Sequence, residues 1–233
     1  MRDNYVIFNG VDSRDIKGLI IQELPAISRP KVRTEKITID GRDGDIINEL
    51  GYQSYTKTMS IGLNMQADLD EVMNYFSGRG KIIFSNEPER EYTVIIDDKI
   101  DYNRLVKFRT ANVKLYTQPY KYLVGEAPFI IEPTNETSLK VGNQGNINSK
   151  PVLTIWGTGT ITISINSVET FTLTMNNNGY IVVDSLNEEA YKEGILKNRQ
   201  MTGQFPVLKP GLNTISWSGS LTKLKVEPKS RWL

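Results

Sequence analysis

Gly179-Tyr180-Ile181-Val182-Val183-Asp184-Ser185, Gly203-Gln204-Phe205-Pro206 and Pro210-Gly211-Leu212-Asn213-Thr214-Ile215-Ser216-Trp217 follow one another between positions 179 and 217. Runs rich in β-branched residues stand between Gly, Pro and Asn, which is the punctuation of short strands and tight turns. The stretch holds no catalytic constellation. It predicts one part of a β-sandwich in which Gly179, Pro206, Pro210 and Gly211 fix the turns, while Tyr180, Tyr191 and Trp217 are core aromatics.

The same period-two pattern extends outward. Met59, Ile61 and Leu63 alternate with polar or small residues, as do Ile161, Ile163 and Ile165, then Phe171, Leu173 and Met175. Each set places apolar side chains on one face of a strand. Lys81-Ile82-Ile83-Phe84 and Tyr92-Thr93-Val94-Ile95-Ile96 read as further strands, and the chain is mainly β. One segment departs from the rule: Leu69, Val72, Met73 and Phe76 sit at i, i+3, i+4 and i+7, the buried stripe of a helix over about 68–77. Asp68 caps its first turn with Glu71 three residues on, and Gly78 is placed to end it.

The length of 233 residues fits two domains of about 100 residues each. Glu126-Ala127-Pro128 through Pro133-Thr134-Asn135 marks the break, after which composition turns towards Asn, Thr and Gly. The expected domains are 1–132 and 133–233, the second a β-sandwich with strands at short, regular spacing. No repeat or low-complexity tract is visible.

Charge and composition exclude several classes of function. Lys and Arg number 28 against 27 Asp and Glu, so the basic excess that phosphate binding leaves is missing and nucleic-acid binding is not expected. No stretch approaches the eighteen or so apolar residues of a membrane span, so membrane insertion is not expected either. Arg29, Lys31 and Arg33 form the nearest thing to a basic patch and read as the solvated face of a strand. Apolar residues make up 39%, enough for a core, and mean hydropathy is -0.36. With no Cys and no His, disulfides, thiolate nucleophiles, the usual zinc sites and Ser-His-Asp chemistry are out of reach. Met1-Arg2-Asp3-Asn4-Tyr5 leads into no apolar segment of signal-peptide length, so synthesis in a cytoplasm without an export leader is the expectation.

The remaining candidate sites have ordinary readings beside the chemical ones. Asp40-Gly41-Arg42-Asp43-Gly44-Asp45 holds three carboxylates at positions one, four and six, which is not the one, three, five pattern of a calcium loop; Gly41 and Gly44 shape a loop or the tip of a long hairpin. Asp97, Asp98, Asp101, Glu188 and Glu189 supply carboxyls for glycoside hydrolysis, but no pattern sets two of them across a cleft. Gly157-Thr158-Gly159 lacks the rest of a dinucleotide fingerprint and reads as a turn between two strands. Asn135-Glu136-Thr137 is a glycosylation sequon by pattern. Trp156, Tyr180 and Tyr191 are candidates for stacking a sugar, and a module recognising host cell-wall polysaccharide is the alternative function. No catalytic, cofactor-binding or metal residue is assigned, and no cofactor or enzymatic activity is expected.

Taken together, Asn9-Gly10 with Asp12-Ser13, Gly41-Arg42-Asp43-Gly44 followed by Gly51-Tyr52, Asn143 with Gly145-Asn146, Ser149-Lys150-Pro151, Gly179-Tyr180 with Asp184, Tyr191, Gly203, Phe205-Pro206, Pro210-Gly211-Leu212-Asn213 and the closing Pro228-Lys229-Ser230-Arg231-Trp232-Leu233 resemble the distal tail proteins of long-tailed phages that infect Gram-positive bacteria. The resemblance covers essentially the whole chain. It implies an N-terminal β-sandwich with one helix and an extended hairpin, and a galectin-like or carbohydrate-binding-module-like C-terminal sandwich. The implied role is structural: a homohexameric ring, itself able to stack, at the virion tail tip, assembled in the host cytoplasm. Its implied partners are other copies of itself, the tail tube protein, the tail-tip hub or tail-associated lysin, and receptor-binding proteins. Gly41, Arg42, Asp43, Gly44, Tyr52 and Tyr55, with the first strand, are the expected contributors to the contact between subunits.

Overall fold

The computed structural model describes residues 4–100, 109–176 and 179–233. Two compact units divide at Val124 and Gly125. This is upstream of the break placed at 132 and 133, and the reason is strand pairing: Phe129–Ile131 runs antiparallel to Leu224–Val226, so the segment belongs with the second unit.

The first unit contains β1 (Val6–Phe8), β2 (Val11–Asp12), β3 (Leu19–Glu23), β4 (Val32–Thr38), β5 (Asp45–Tyr52), β6 (Tyr55–Leu63), α1 (Leu69–Tyr75), β7 (Gly78–Phe84), β8 (Arg90–Ile96) and β9 (Thr110–Leu123). Seven of these strands follow one antiparallel path, β2-β1-β7-β8-β9-β6-β3. β9 is long enough to pair with β6 through Thr110–Thr117 and with β8 through Tyr116–Leu123. Met59, Ile61 and Leu63 are buried as the alternation predicts, together with Ile82, Phe84, Tyr92, Val94, Val113 and Leu115. Asn9 and Gly10 make the two-residue turn between β1 and β2 with φ of 50° and 82°, the conformation that suits the twist of paired strands.

The helix is shorter than expected but correctly capped: the Asp68 carboxylate accepts from the Asp70 and Glu71 amides at 2.9 and 3.5 Å. Val72 and Phe76 are buried, with Leu69 and Met73 packed against the same core. Tyr75 also faces inward, and its hydroxyl donates to the carbonyls of Val6 and Val11.

The second unit contains β10 (Phe129–Ile131), β11 (Ser138–Asn143), β12 (Val152–Ile165), β13 (Val168–Thr174), β14 (Tyr180–Asp184), β15 (Glu189–Lys192), β16 (Ile195–Leu196), β17 (Met201–Gly203), β18 (Gly211–Glu227) and β19 (Arg231–Trp232). β12 and β18 pair along most of their length and each serves two sets of partners. The first part of β12 pairs with β14 and its second part with β13. The first part of β18 pairs with β11 and its last part with β10. The change of partner falls where the register between β12 and β18 shifts, at Gly157 and between Thr158 and Thr162. Gly157-Thr158-Gly159 is therefore a bend within one strand and not a turn between two. A Cβ on Gly157 would lie 2.3 Å from the Ser220 carbonyl oxygen, and one on Gly219 would lie 2.2 Å from that of Thr160, so the crossing admits only glycine.

Two asparagines explain the loop motifs of this unit. The buried Asn143 side chain donates to the carbonyls of Ile147 and Leu208, both at 3.0 Å, and accepts from the Gly145 amide at 2.9 Å. The buried Asn213 side chain spans Pro210 and Gly211, donating to Lys209 and Gly211 and accepting from the Lys209 amide and from Asn166. The chain end packs back on the unit: the Arg231 guanidinium donates to the Asn148 carbonyl at 2.7 Å, and its backbone lies where a Cβ on Gly145 would be.

Candidate functional site

Among the described residues β4 and β5 pair only with each other, so they form a two-stranded ribbon apart from the main sheet. Gly41 and Gly44, at φ of 79° and 77°, shape its tip, and the Arg42 amide closes the turn on the Ile39 carbonyl at 3.1 Å. Gly41, Arg42, Asp43 and Gly44 are all exposed there. Ile37 lies opposite Ile46, and strand alternation puts Leu50 on the same face. Ile37, Ile39, Ile47 and Leu50 are 41%, 45%, 58% and 53% exposed, an unusual apolar load for a ribbon without a core beneath it.

The base of the ribbon is tied down. Tyr52 meets Tyr120 edge-on with ring centroids 6.0 Å apart, and the Gln53 amide donates to the Lys31 carbonyl at 2.8 Å. Asn86 donates to the Pro25 carbonyl at 3.2 Å. Lys57, only 4% exposed, donates to the Ala26 carbonyl at 2.7 Å and lies over the rings of Tyr55 and Tyr92. Tyr52 and Tyr55 thus belong to the base, while the other four expected contact residues form the tip. The first strand lies between β2 and β7, with Val6 and Phe8 in the core.

The buried Lys57 and Tyr92 form a charge cluster with the half-buried Lys121 and Glu87. Lys121 and Glu87 pair at 2.6 Å, and the Tyr92 hydroxyl donates to the other Glu87 oxygen. Burial acts to raise the Glu87 carboxyl, but the bonds from Lys121 and Tyr92 outweigh it, and the net shift is downward. Burial, opposed by Glu87 and reinforced by Lys121, lowers Lys57. Sequence reading missed this cluster although one signal was present: Lys57 has the same parity as Met59, Ile61 and Leu63, and so points inward.

Trp156, Tyr180 and Tyr191 come together on the outer face of the second unit. All three are half-buried, which corrects the expectation that Tyr180 and Tyr191 are core; Trp217 does pack against the core. Trp156 and Tyr180 are cross-strand partners with ring centroids 5.8 Å apart, and Tyr191 lies opposite Val182 on the next strand. Lys223 caps the Trp156 ring at 5.7 Å and Lys192 the Tyr180 ring at 5.1 Å. The order across four adjacent strands is Lys223, Trp156, Tyr180, Lys192, so each ring already has an ammonium over its face.

Among the described residues the candidate acids pair with lysines or stand exposed. Asp98 pairs with exposed Lys114 at 2.8 Å and Glu188 with Lys150 at 3.6 Å; Asp97 and Glu189 are exposed, and Asp101 lies outside the described residues. Among the described residues no three Asp, Glu, His or Cys side chains are grouped to hold a metal. In the sequon, the Glu136 carboxylate accepts from the Thr134 and Asn135 amides. An open cleft of about 430 Å³ lined by Asn4, Tyr5, Arg14, Leu24, Ser85, Asn86 and Pro88 has one cation, Arg14, already paired with Asp12 at 2.5 Å.

Comparison with known proteins identifies this architecture. The crystal structure of the SPP1 Dit (gp 19.1) protein, a hub adsorption apparatus protein of phages that infect Gram-positive bacteria, superposes with a TM-score of 0.68 over 99% of each chain at 18% identity. The chain has the fold of that Dit protein. Chains of the phage p2 baseplate in its activated conformation, with Sr and with Ca, match at TM-scores of 0.47 and 0.46 and identities of 7% and 8%, covering 97% of this chain and 98% of theirs. No protein-family model and no curated protein sequence matches.

Proposed function

We propose that this protein is a structural hub component of a phage tail tip: a homohexameric ring that joins the tail tube to the tail-tip hub or tail-associated lysin and offers a dock for host-adhesion components. The observation that carries the reading is the correspondence of fold with a Dit hub protein across 99% of both chains, with nothing inserted or missing on the scale of a domain. The ribbon supports it independently. A two-stranded hairpin is marginally stable alone in water, and one that exposes four Ile and Leu side chains gains by being covered. A ring uses two different patches on each subunit, and the ribbon supplies one.

Sugar recognition receives less support. The aromatic face is present, but the ring faces of Trp156 and Tyr180 that would stack on a sugar are occupied by Lys223 and Lys192. A protein dock, reading side-chain edges and the lysines, fits this face better.

Mass photometry and negative-stain microscopy of the purified protein test the proposal. Six-fold rings are the expected species, and deletion of residues 41–50 should reduce them to smaller units. Recovery of intact hexamers from that deletion would remove the ribbon from the interface.

A further inference from the structure

Residues 24–31 join β3 of the main sheet to β4 of the ribbon and belong to neither strand. Pro25 and Pro30 are buried, while Ala26, Ile27, Ser28 and Arg29 between them are exposed, so the segment is a strap seated at two points. Among the described residues, no backbone-to-backbone hydrogen bond reaches residues 25–30. Side chains of the first unit hold the strap instead. Asn86 donates to the Pro25 carbonyl at 3.2 Å, Lys57 donates to the Ala26 carbonyl at 2.7 Å, and the Ser28 side chain bonds that of Tyr55. The Lys57 bond is the charge-assisted one of the three, and it starts from a side chain only 4% exposed.

We infer that Lys57 is a positioning residue for the ribbon: its buried ammonium, kept in place by Glu87, latches the strap to the sheet and sets the direction in which β4 leaves. The asymmetry of the charge cluster carries this reading. Two ammoniums, Lys57 and Lys121, share the Glu87 carboxylate, and the ring faces of Tyr55 and Tyr92, at 5.5 and 5.1 Å, supply further negative potential around Lys57. Half-buried Lys121 can turn to water when Glu87 loses its charge. Lys57 reaches water only by withdrawing from Ala26, so the charge on Glu87 is transmitted to the strap. With the strap free, the ribbon pivots on its other connection, residues 53 and 54, where Tyr52 rests against Tyr120. The latch is a property of a single copy and does not depend on the ring.

Spin labelling of the full chain tests it, and the absence of Cys makes every introduced thiol unique. A nitroxide on Ile27→Cys, an exposed site on the strap, reads strap mobility by electron paramagnetic resonance. Nitroxides on Arg42→Cys at the ribbon tip and Asn112→Cys on β9, both exposed, read the direction of the ribbon as a distance distribution, with labelled chain diluted in unlabelled chain. Lys57→Met should shorten the rotational correlation time at position 27 about threefold and broaden the distance distribution. Its melting temperature should hold or rise, because Met fills the site without a buried charge and water takes over the exposed Ala26 carbonyl. Glu87→Gln should loosen the strap in the same way while lowering the melting temperature. The double variant should match Lys57→Met in both spectra and recover melting temperature lost by Glu87→Gln, because Glu87 acts on the strap through Lys57. Lys57→Gln, too short to reach Ala26, should repeat the loosening and serves where Lys57→Met does not fold.

Unchanged spectra in the Lys57 variants would overturn the latch, leaving Pro25, Pro30 and Asn86 to hold the strap. Loosening accompanied by a matching fall in melting temperature in both Lys57 variants would make Lys57 a general packing residue and overturn it as well. A Glu87→Gln strap as tight as wild type, or a double variant looser than Lys57→Met, would remove Glu87 from the latch. None of these outcomes bears on the number of subunits, which mass photometry reads separately.

Discussion

Asn213 replaces, with one buried side chain, the backbone partners that the turn at Pro210 and Gly211 leaves open. Its amide and carbonyl make four hydrogen bonds, three of them to the backbone of Lys209 and Gly211. Asn213→Ala should therefore strand buried polar groups and cost about 2–3 kcal/mol, measured by urea unfolding. Glu87 is a second such point, because its carboxylate pairs with half-buried Lys121 and faces the buried Lys57. Glu87→Gln should cost about 2–3 kcal/mol at neutral pH. The folded-state carboxyl lies below its ordinary 4.5, so its contribution is present above that value and is lost as pH falls through the folded value. The wild-type and Glu87→Gln stability curves should accordingly converge in acid; a constant gap down to the lowest accessible pH would refute the charge argument. Asn143 and Asn213 were visible in the sequence as parts of a motif, but their role was not, since it depends on carbonyls that folding brings to the same place. Lys57 was legible in parity alone and looked unremarkable because a lysine on a strand is usually solvated.

At the scale of elements, glycines with positive φ divide into those that need only the backbone conformation and those that also need the space. Gly211, at φ 88°, has open space where a Cβ would lie, whereas the same atom on Gly219, at φ 96°, meets the Thr160 carbonyl oxygen at 2.2 Å. Gly211→Ala should cost about 1 kcal/mol, the penalty of a left-handed residue. Gly219→Ala should cost at least about 3 kcal/mol, because β12 and β18 cannot part at the bend without breaking their ladder. Thermal melts of the two variants side by side decide whether the bend depends on close contact; equal losses would show that it does not. Alternation made the strands legible, and the Gly41 and Gly44 spacing made the hairpin legible. The continuity of β12 was not, because glycine marks a bulge and a turn with the same letter. The exposed apolar face of the ribbon was likewise hidden: Ile37, Ile46 and Leu50 look like core until the pairing shows that no core lies beneath them.

At the scale of the whole molecule, the two units have separate cores, and the position of the boundary has a measurable consequence. Composition places the break where Pro and Asn accumulate, but pairing assigns Phe129 to Ile131 to the second unit, where Phe129 and Ile131 pack against its core and run beside Leu224 to Val226. Glu126 adds a tie by accepting from the Ser230 amide at 2.8 Å, which holds the chain end against the same unit. A fragment of residues 125–233 should unfold in one cooperative transition. A fragment of residues 136–233 loses the edge strand, two half-buried apolar side chains and the Glu126 tie, and should be about 2–3 kcal/mol less stable on burial alone. The loss should concentrate at β18, so amide exchange at Leu224 and Val226 should accelerate far more than at Ile163, which pairs with β13. Equal stability of the two fragments would place the functional boundary at the Pro-rich segment after all, and would make β10 an appendage of the linker rather than part of the sandwich.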